Sequence, residues 1–113
     1  MSRSPLNGVR ILDLSRLLPG PVATLHLADL GADVIKIEDT GAGDYARTMG
    51  AGPDGVSWFY RAVNRNKRGL RLDLKQAAGR EVHKLSAEYP HLPLCWHEKF
   101  LQLNHKNNCL LLP

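Results

Sequence analysis

A chain of 113 residues with a formal charge of +4 is sized for at most one domain with a modest core. Its 43% apolar and 23% charged residues are the balance of a soluble globular protein, and no apolar run approaches the ~20 residues that a membrane-spanning helix needs. Two cysteines, Cys95 and Cys109, do not make a disulfide framework, and the opening MSRSPLNGVR lacks the apolar core of a secretory signal. The expectation is an intracellular protein, cytoplasmic, with a mitochondrial or peroxisomal placement as the alternative.

Taken in chain order, the clearest plan lies in Val9 to Glu38. Val9, Ile11, Leu12 and Leu14 form a short apolar run of strand length. Pro19 and Pro21 then favour a turn, and Pro21 suits the first turn of a helix, where its missing N–H costs nothing. Val22, Ala23, Leu25, Leu27, Ala28 and Leu30 give that helix a broad apolar face, and Gly31 stands where helices commonly end in a left-handed residue. Val34, Ile35 and Ile37 form a second, β-branched run closing at Glu38. Two strands joined by such a helix predict a right-handed βαβ unit with parallel strands, whose ligands bind beyond the strands' carboxyl ends. Ser15 to Gly20 and the stretch from Glu38 onward fall at that edge.

Asp39 to Gly55 has the glycine-rich composition of a binding loop. Val56 to Val63, VSWFYRAV, packs three aromatics together and fits a strand or a helical turn. Asn64 to Lys75 alternates Leu70, Leu72 and Leu74 with Arg71, Asp73 and Lys75, a period-two strand with one polar face, and Gln76 to Val82 begins a helix. Residues 61–75 also hold Arg61, Arg65, Lys67, Arg68, Arg71 and Lys75 against the single acid Asp73. Such a segment suits a phosphate ligand, nucleic acid, an acidic partner or simply a solvated face.

At His83 the composition changes. No glycine, aspartate or arginine occurs from there to Pro113, whereas four of the five histidines and both cysteines do. The chain is therefore divided into residues 1–82 and an unrelated, irregular and partly helical tail, 83–113, expected to be poorly ordered and to derive from a frameshift, an alternative exon or a misjoined gene.

Three chemical signals compete with bland readings. Gly20 opens a helix after a strand and Glu38 ends the next strand, as in a dinucleotide site, yet SRLLPGP has one glycine and two prolines where a pyrophosphate needs backbone N–H groups. Cys95, His97, His105 and Cys109, with His91 nearby, could ligate zinc, but their spacing matches no usual pattern and no metal is expected. His26 reads as a surface helix histidine, and Ser15 has no nucleophile elbow around it.

LNGVRILDLSRLLPGPVATLHLADLGADVIKIE, then GAGDYAR, then NRNKRGLRLDLK, resembles the N-terminus of the family III CoA-transferases, which include formyl-CoA and carnitine CoA-transferases and the α-methylacyl-CoA racemases. The likeness is collinear from Leu6 to Val82. It implies an α/β, Rossmann-like N-terminal piece that binds coenzyme A at the strand ends. By that likeness Arg16, Leu17, Leu18 and Pro19 line the CoA, largely through backbone, and Leu72, Asp73 and Lys75 approach it from the third motif. Asp39 departs from the pattern, since some members place an arginine there near the phosphates.

The resemblance also implies that catalysis lies elsewhere. In the transferases an aspartate attacks the acyl-CoA carbonyl, and in the racemases a His/Asp pair exchanges the α-proton; both belong to later parts of the family sequence. No catalytic residue is assigned here, Asp29, Asp44 and Asp73 included. The reading is a fragment of an enzyme that transfers CoA between carboxylic acids, inactive alone, with CoA or acyl-CoA as its ligand and no nucleic-acid or membrane partner. The family's interlocked homodimer is not expected of so short a chain. The alternatives are a small CoA- or nucleotide-binding module with a Cys/His tail, and a non-enzymatic interaction fragment.

Overall fold

The computed structural model describes residues 4–88, 93–96 and 110–111. The elements run β1 (Arg10–Asp13), α1 (Pro19–Asp29), β2 (Asp33–Glu38), α2 (Trp58–Asn64), β3 (Arg68–Arg71), α3 (Ala77–Glu88), β4 (Pro93–Trp96) and β5 (Leu110–Leu111). They form an α/β fold with one sheet in the order β3-β2-β1-β4-β5, every neighbouring pair parallel.

The βαβ unit expected over Val9 to Glu38 is present. Both prolines lie inside α1 rather than only Pro21, because the first helical amides have no intrahelical acceptor and a missing N–H there removes no bond. The helix ends at Leu30, and Gly31, with φ +98°, donates its N–H to Ala28 O at 2.9 Å. A Cβ at Gly31 would collide with Ser4, so glycine is required there on two counts.

Period-two alternation divides the sheet's side chains. Ile11 and Val34 face α1 and pack with Ala28 and Ala32, flanked by Leu6, Val9 and Leu27. On the opposite face Leu12 and Ile37 gather Leu14, Ile35 and Leu72. Following the first face toward the carboxyl edge, the inward positions are no longer apolar. They are Asp13 of β1, paired in register with Lys36 of β2, and then Glu38, all buried.

Two expectations are resolved or corrected. VSWFYRAV is a helix from Trp58, started by Ser57, whose Oγ accepts the Tyr60 N–H at 3.0 Å. The period-two strand expected within Asn64 to Lys75 is shorter, covering only Arg68–Arg71. Arg71 pairs with Glu38, the last residue of β2, so the ladder has no partner strand beyond it. One further bond, Leu72 N–H to Glu38 O at 2.9 Å, follows before a turn closed by Gln76 N–H on Asp73 O leads into α3.

The glycine-rich segment is built around two single 3-10 turns, Tyr45–Thr48 and Pro53–Gly55. In the tail, α3 extends to Glu88 and β4 pairs with β1 from Arg10↔Pro93 to Asp13↔Trp96. The remaining expectations for the tail, including the order of most of it and His91, His97, His105 and Cys109 as metal ligands, lie outside the described residues. Among the described residues, no helix is long and apolar enough to cross a membrane.

Candidate functional site at the carboxyl edge of the sheet

The loops after β1, β2 and β3 meet at one edge, and a buried layer of charge beneath them fixes the first two. Asp13 lies at the centre of its first half. Its Oδ1 accepts from Ser15 N (2.9 Å) and Ser15 Oγ (2.5 Å); its Oδ2 accepts from Thr24 Oγ1 (2.6 Å) and Lys67 Nζ (3.0 Å). Burial would raise the Asp13 pKa, but the Lys67 charge and the two hydroxyls outweigh it and hold the carboxyl below its ordinary range.

The second half is the pair Lys36 and Asp44, 2.6 Å apart with side chains only 2% and 0% exposed. Lys36 Nζ also donates to Ser15 O at 2.9 Å, while Asp44 Oδ1 accepts from Leu17 N (3.0 Å) and Ala46 N (2.9 Å). Beside it, Glu38 receives Arg47 on both oxygens, at 2.7 and 2.8 Å, with Tyr60 Oη at 2.5 Å and Asp44 N at 2.9 Å. Burial opposes ionisation of Glu38, but these donors prevail and bring its pKa down to about 2. Tyr60, half-buried against that carboxylate, has its phenol pushed up.

This occupancy decides the dinucleotide reading. A ribose-binding acid must leave an oxygen free for the sugar hydroxyls. Both Glu38 oxygens are taken from inside the protein, so Glu38 serves the structure and not a ribose.

The residues assigned by resemblance stand as follows. Arg16 is part-exposed above the edge; its Nη2 donates to Asp39 Oδ2 at 2.9 Å and its guanidinium lies 5.4 Å from the Tyr45 ring centroid. The N–H groups of Gly43 and Gly41 reach the same Asp39 carboxylate and hold its pKa below the ordinary value. Leu17, with φ +64°, and Leu18 present exposed side chains, and Pro19 opens α1. Leu72 and Leu14 both pack against the Leu12–Ile37 cluster, and the loops after β1 and β3 leave the parallel sheet at the same edge. Asp73 turns its Oδ1 onto Lys75 N–H at 3.0 Å, and Lys75 is exposed.

Sequence reasoning gave no buried structural role to Asp13, Lys36, Asp44, Arg47 or Lys67. A signal existed for two of them. Ile11-x-Asp13 and Val34-x-Lys36 each continue a buried apolar phase with a charge. Asp44, Arg47 and Lys67 sit in loops with no period to mark them.

A depression of about 270 Å³ between α2 and β3 is lined by Lys36, Arg61, Lys67 and Arg68 among others. Each of the four already has an oxygen partner within the protein: Asp44, Pro53 O, Asp13 and Asp33 respectively. Among the described residues, no group of three or more His, Cys, Asp or Glu side chains is arranged to hold a metal ion.

The family model described as CoA-transferase family III matches residues 6–85. The chain is 51% identical over 81 residues to succinyl-CoA:glutarate CoA-transferase of Homo sapiens, covering 71% of this chain and 18% of that protein. It is 46% identical over 78 residues to formyl-CoA:oxalate CoA-transferase of Afipia carboxidovorans, covering 68% of this chain and again 18% of the relative. A crystal structure of a CAIB/BAIF family protein from Brucella suis superposes with a TM-score of 0.73 at 32% identity, over 86% of this chain and 27% of that one. The chain thus spans roughly a fifth to a quarter of these proteins' lengths. It belongs to CoA-transferase family III.

Proposed function

We propose that the carboxyl edge of the sheet is one wall of a coenzyme A site, in a protein whose family role is to move CoA between carboxylic acids. The observation that carries this reading is the convergence of Arg16–Pro19 and Leu72–Lys75 on one edge, with Leu14 and Leu72 packed against the same Leu12–Ile37 cluster. That convergence offers apolar surface from Leu17 and Leu18 for the adenine, with the cations Arg16 and Lys75 for the phosphates.

The same reading leaves catalysis to residues outside this segment. A nucleophilic aspartate must have a free oxygen and modest stabilisation of its charge. Each of Asp13, Asp29, Asp33, Asp39 and Asp44 is instead held by a lysine or arginine, Asp73 caps its own turn, and Asp54 is exposed to solvent in a surface turn, 3.8 Å from Arg61. CoA is the substrate-class ligand, no metal takes part, and the chain alone transfers nothing.

The test is a titration of the ¹⁵N-labelled chain with CoA, dephospho-CoA and NAD at low and high salt, with and without Lys75→Ala. Shifts confined to residues 16–19 and 72–75, stronger for CoA and fading as salt rises, support the site, since exposed phosphate contacts are screened over ~8–10 Å near physiological ionic strength. Preference for NAD, or CoA binding indifferent to salt and to Lys75→Ala, overturns it.

A further inference from the structure

The two peptide groups that flank Arg16 are both held by one buried ion pair. On one side, Ser15 O accepts Lys36 Nζ at 2.9 Å; on the other, Leu17 N–H donates to Asp44 Oδ1 at 3.0 Å; and Lys36 Nζ and Asp44 Oδ2 stand 2.6 Å apart. Leu17 itself is left-handed, φ +64°, with its side chain facing solvent. A non-glycine residue in that conformation is strained unless its surroundings hold it there.

Nothing about Leu17's own packing explains the strain. It has no capping glycine beside it and it is not buried. The Asp44 bond is what the left-handed turn obtains, because that turn aims the Leu17 N–H down into the protein. The pair is also expensive: burying two charges is repaid only by close geometry and satisfied hydrogen bonds, and well-packed apolar residues would serve stability as well or better. A buried ion pair whose spare bonding capacity goes to the backbone on both sides of Arg16 is better accounted for by the loop it shapes.

We propose that Lys36 and Asp44 are positioning residues for the CoA wall: the pair presets the backbone of Ser15–Leu17 so that Arg16 and the Leu17–Leu18 surface are in place before ligand arrives. This rests on the CoA reading above, and it assigns to Asp44, at the head of the Tyr45–Thr48 turn, a role in the first loop 27 residues away in sequence. The benefit is preorganisation: a loop ordered in advance does not have to be ordered at the expense of binding.

The experiment compares the wild-type chain, the double variant Lys36→Met/Asp44→Leu, and Val34→Ala. The double variant removes both charges and, with Asp44 Oδ1, the acceptor of the Leu17 N–H. Val34→Ala damages the apolar core near the start of β2 and touches no loop contact. In wild type, the Leu17 amide should be protected from hydrogen exchange to the degree of the β1–β2 ladder; exchange at the rate of a free loop overturns the proposal without any variant. In the double variant, exchange at Leu17 should accelerate by at least about tenfold beyond that of the strand amides. CoA should weaken by about tenfold, whereas Val34→Ala should leave affinity intact.

Equal loss of affinity in Val34→Ala means that stability alone is at work and overturns the proposal, as does unaltered CoA affinity in a double variant whose Leu17 amide has come loose. If wild type binds no CoA while Leu17 is protected and is freed in the double variant, the CoA reading fails and the clamp stands as a device for another ligand. If Leu17 is unprotected, the clamp fails whatever CoA does.

Discussion

Lys67 Nζ stands 3.0 Å from Asp13 Oδ2, and neither side chain reaches solvent. The two residues are 54 positions apart, and their contact joins the end of β1 to the segment leading into β3 across the first turn of α1, where Lys67 also donates to Pro21 O at 2.8 Å. Asn64 Oδ1 accepts the third Lys67 proton at 3.0 Å, so the ammonium has every donor used.

Breaking one half of this pair should therefore cost more than removing it whole. Lys67→Met leaves the Asp13 carboxylate buried with only two hydroxyls and an amide, and should lower unfolding free energy by roughly 3–5 kcal/mol. Asp13→Asn combined with Lys67→Met should recover a good part of that loss, since no charge is then stranded. Urea melts of the two single variants and the double variant check this. Additive losses would show that the pair is not coupled.

Acid should act first through Glu38. Its folded pKa of about 2 lies below the ordinary value of 4.5, so its stabilising contribution is complete above about pH 4.5 and is lost as pH falls toward 2. The difference corresponds to an upper bound of roughly 3 kcal/mol. Glu38→Gln should be less stable than wild type at pH 7 and should lose this part of the acid dependence, so the two melting curves should converge near pH 2. Tyr60→Phe, which removes a phenol that donates to Glu38 and accepts from Arg47 Nη2 at 2.9 Å, should cost about 1–2 kcal/mol at neutral pH.

The βαβ unit was legible because its signals are local: prolines at the helix start, glycine past its end, and two apolar runs of strand length. The length of β3 was not, since Leu70, Leu72 and Leu74 alternate as a strand would, and only the end of β2 at Glu38 terminates the pairing. The helix of VSWFYRAV turned on Ser57, an N-cap whose role is visible only once the Tyr60 N–H is placed. The charged layer was hidden for a related reason. A lysine reads as surface until an aspartate eight residues on and a backbone carbonyl 21 residues back converge on its nitrogen. Glu38 was legible as a carboxylate at a strand end but not as a filled one, because its partners come from Arg47 and Tyr60 through tertiary folding.

Gly79 should not tolerate a side chain. A Cβ there would run into the backbone of Asp73, in the turn that carries Leu72–Lys75 to the edge. Gly79→Ala must shift either α3 or that turn, a strain of about 1–3 kcal/mol. On the site proposed above it should also weaken CoA, although residue 79 is itself outside the proposed wall. A Gly79→Ala chain with unchanged melting temperature and CoA shifts would show that α3 does not hold the turn.

Asp39 should restrain the site rather than serve it. Its carboxylate neutralises Arg16 at 2.9 Å and adds negative charge where phosphate is proposed to sit. Asp39→Asn keeps an oxygen for the Gly41 and Gly43 N–H groups that shape the loop, and removes only the charge. Arg16 is then free to swing toward the ligand, with the Tyr45 ring as its remaining support. CoA affinity should rise by about two- to fivefold at low salt and by less at high salt, because the gain is a screened interaction between exposed groups. Arg16→Ala should abolish that gain when added to Asp39→Asn, which separates release of Arg16 from simple relief of repulsion. Titrations of the four chains with CoA at two ionic strengths read the effect directly. A gain that persists without Arg16 assigns it to repulsion alone, and no gain at all places the phosphates away from Asp39.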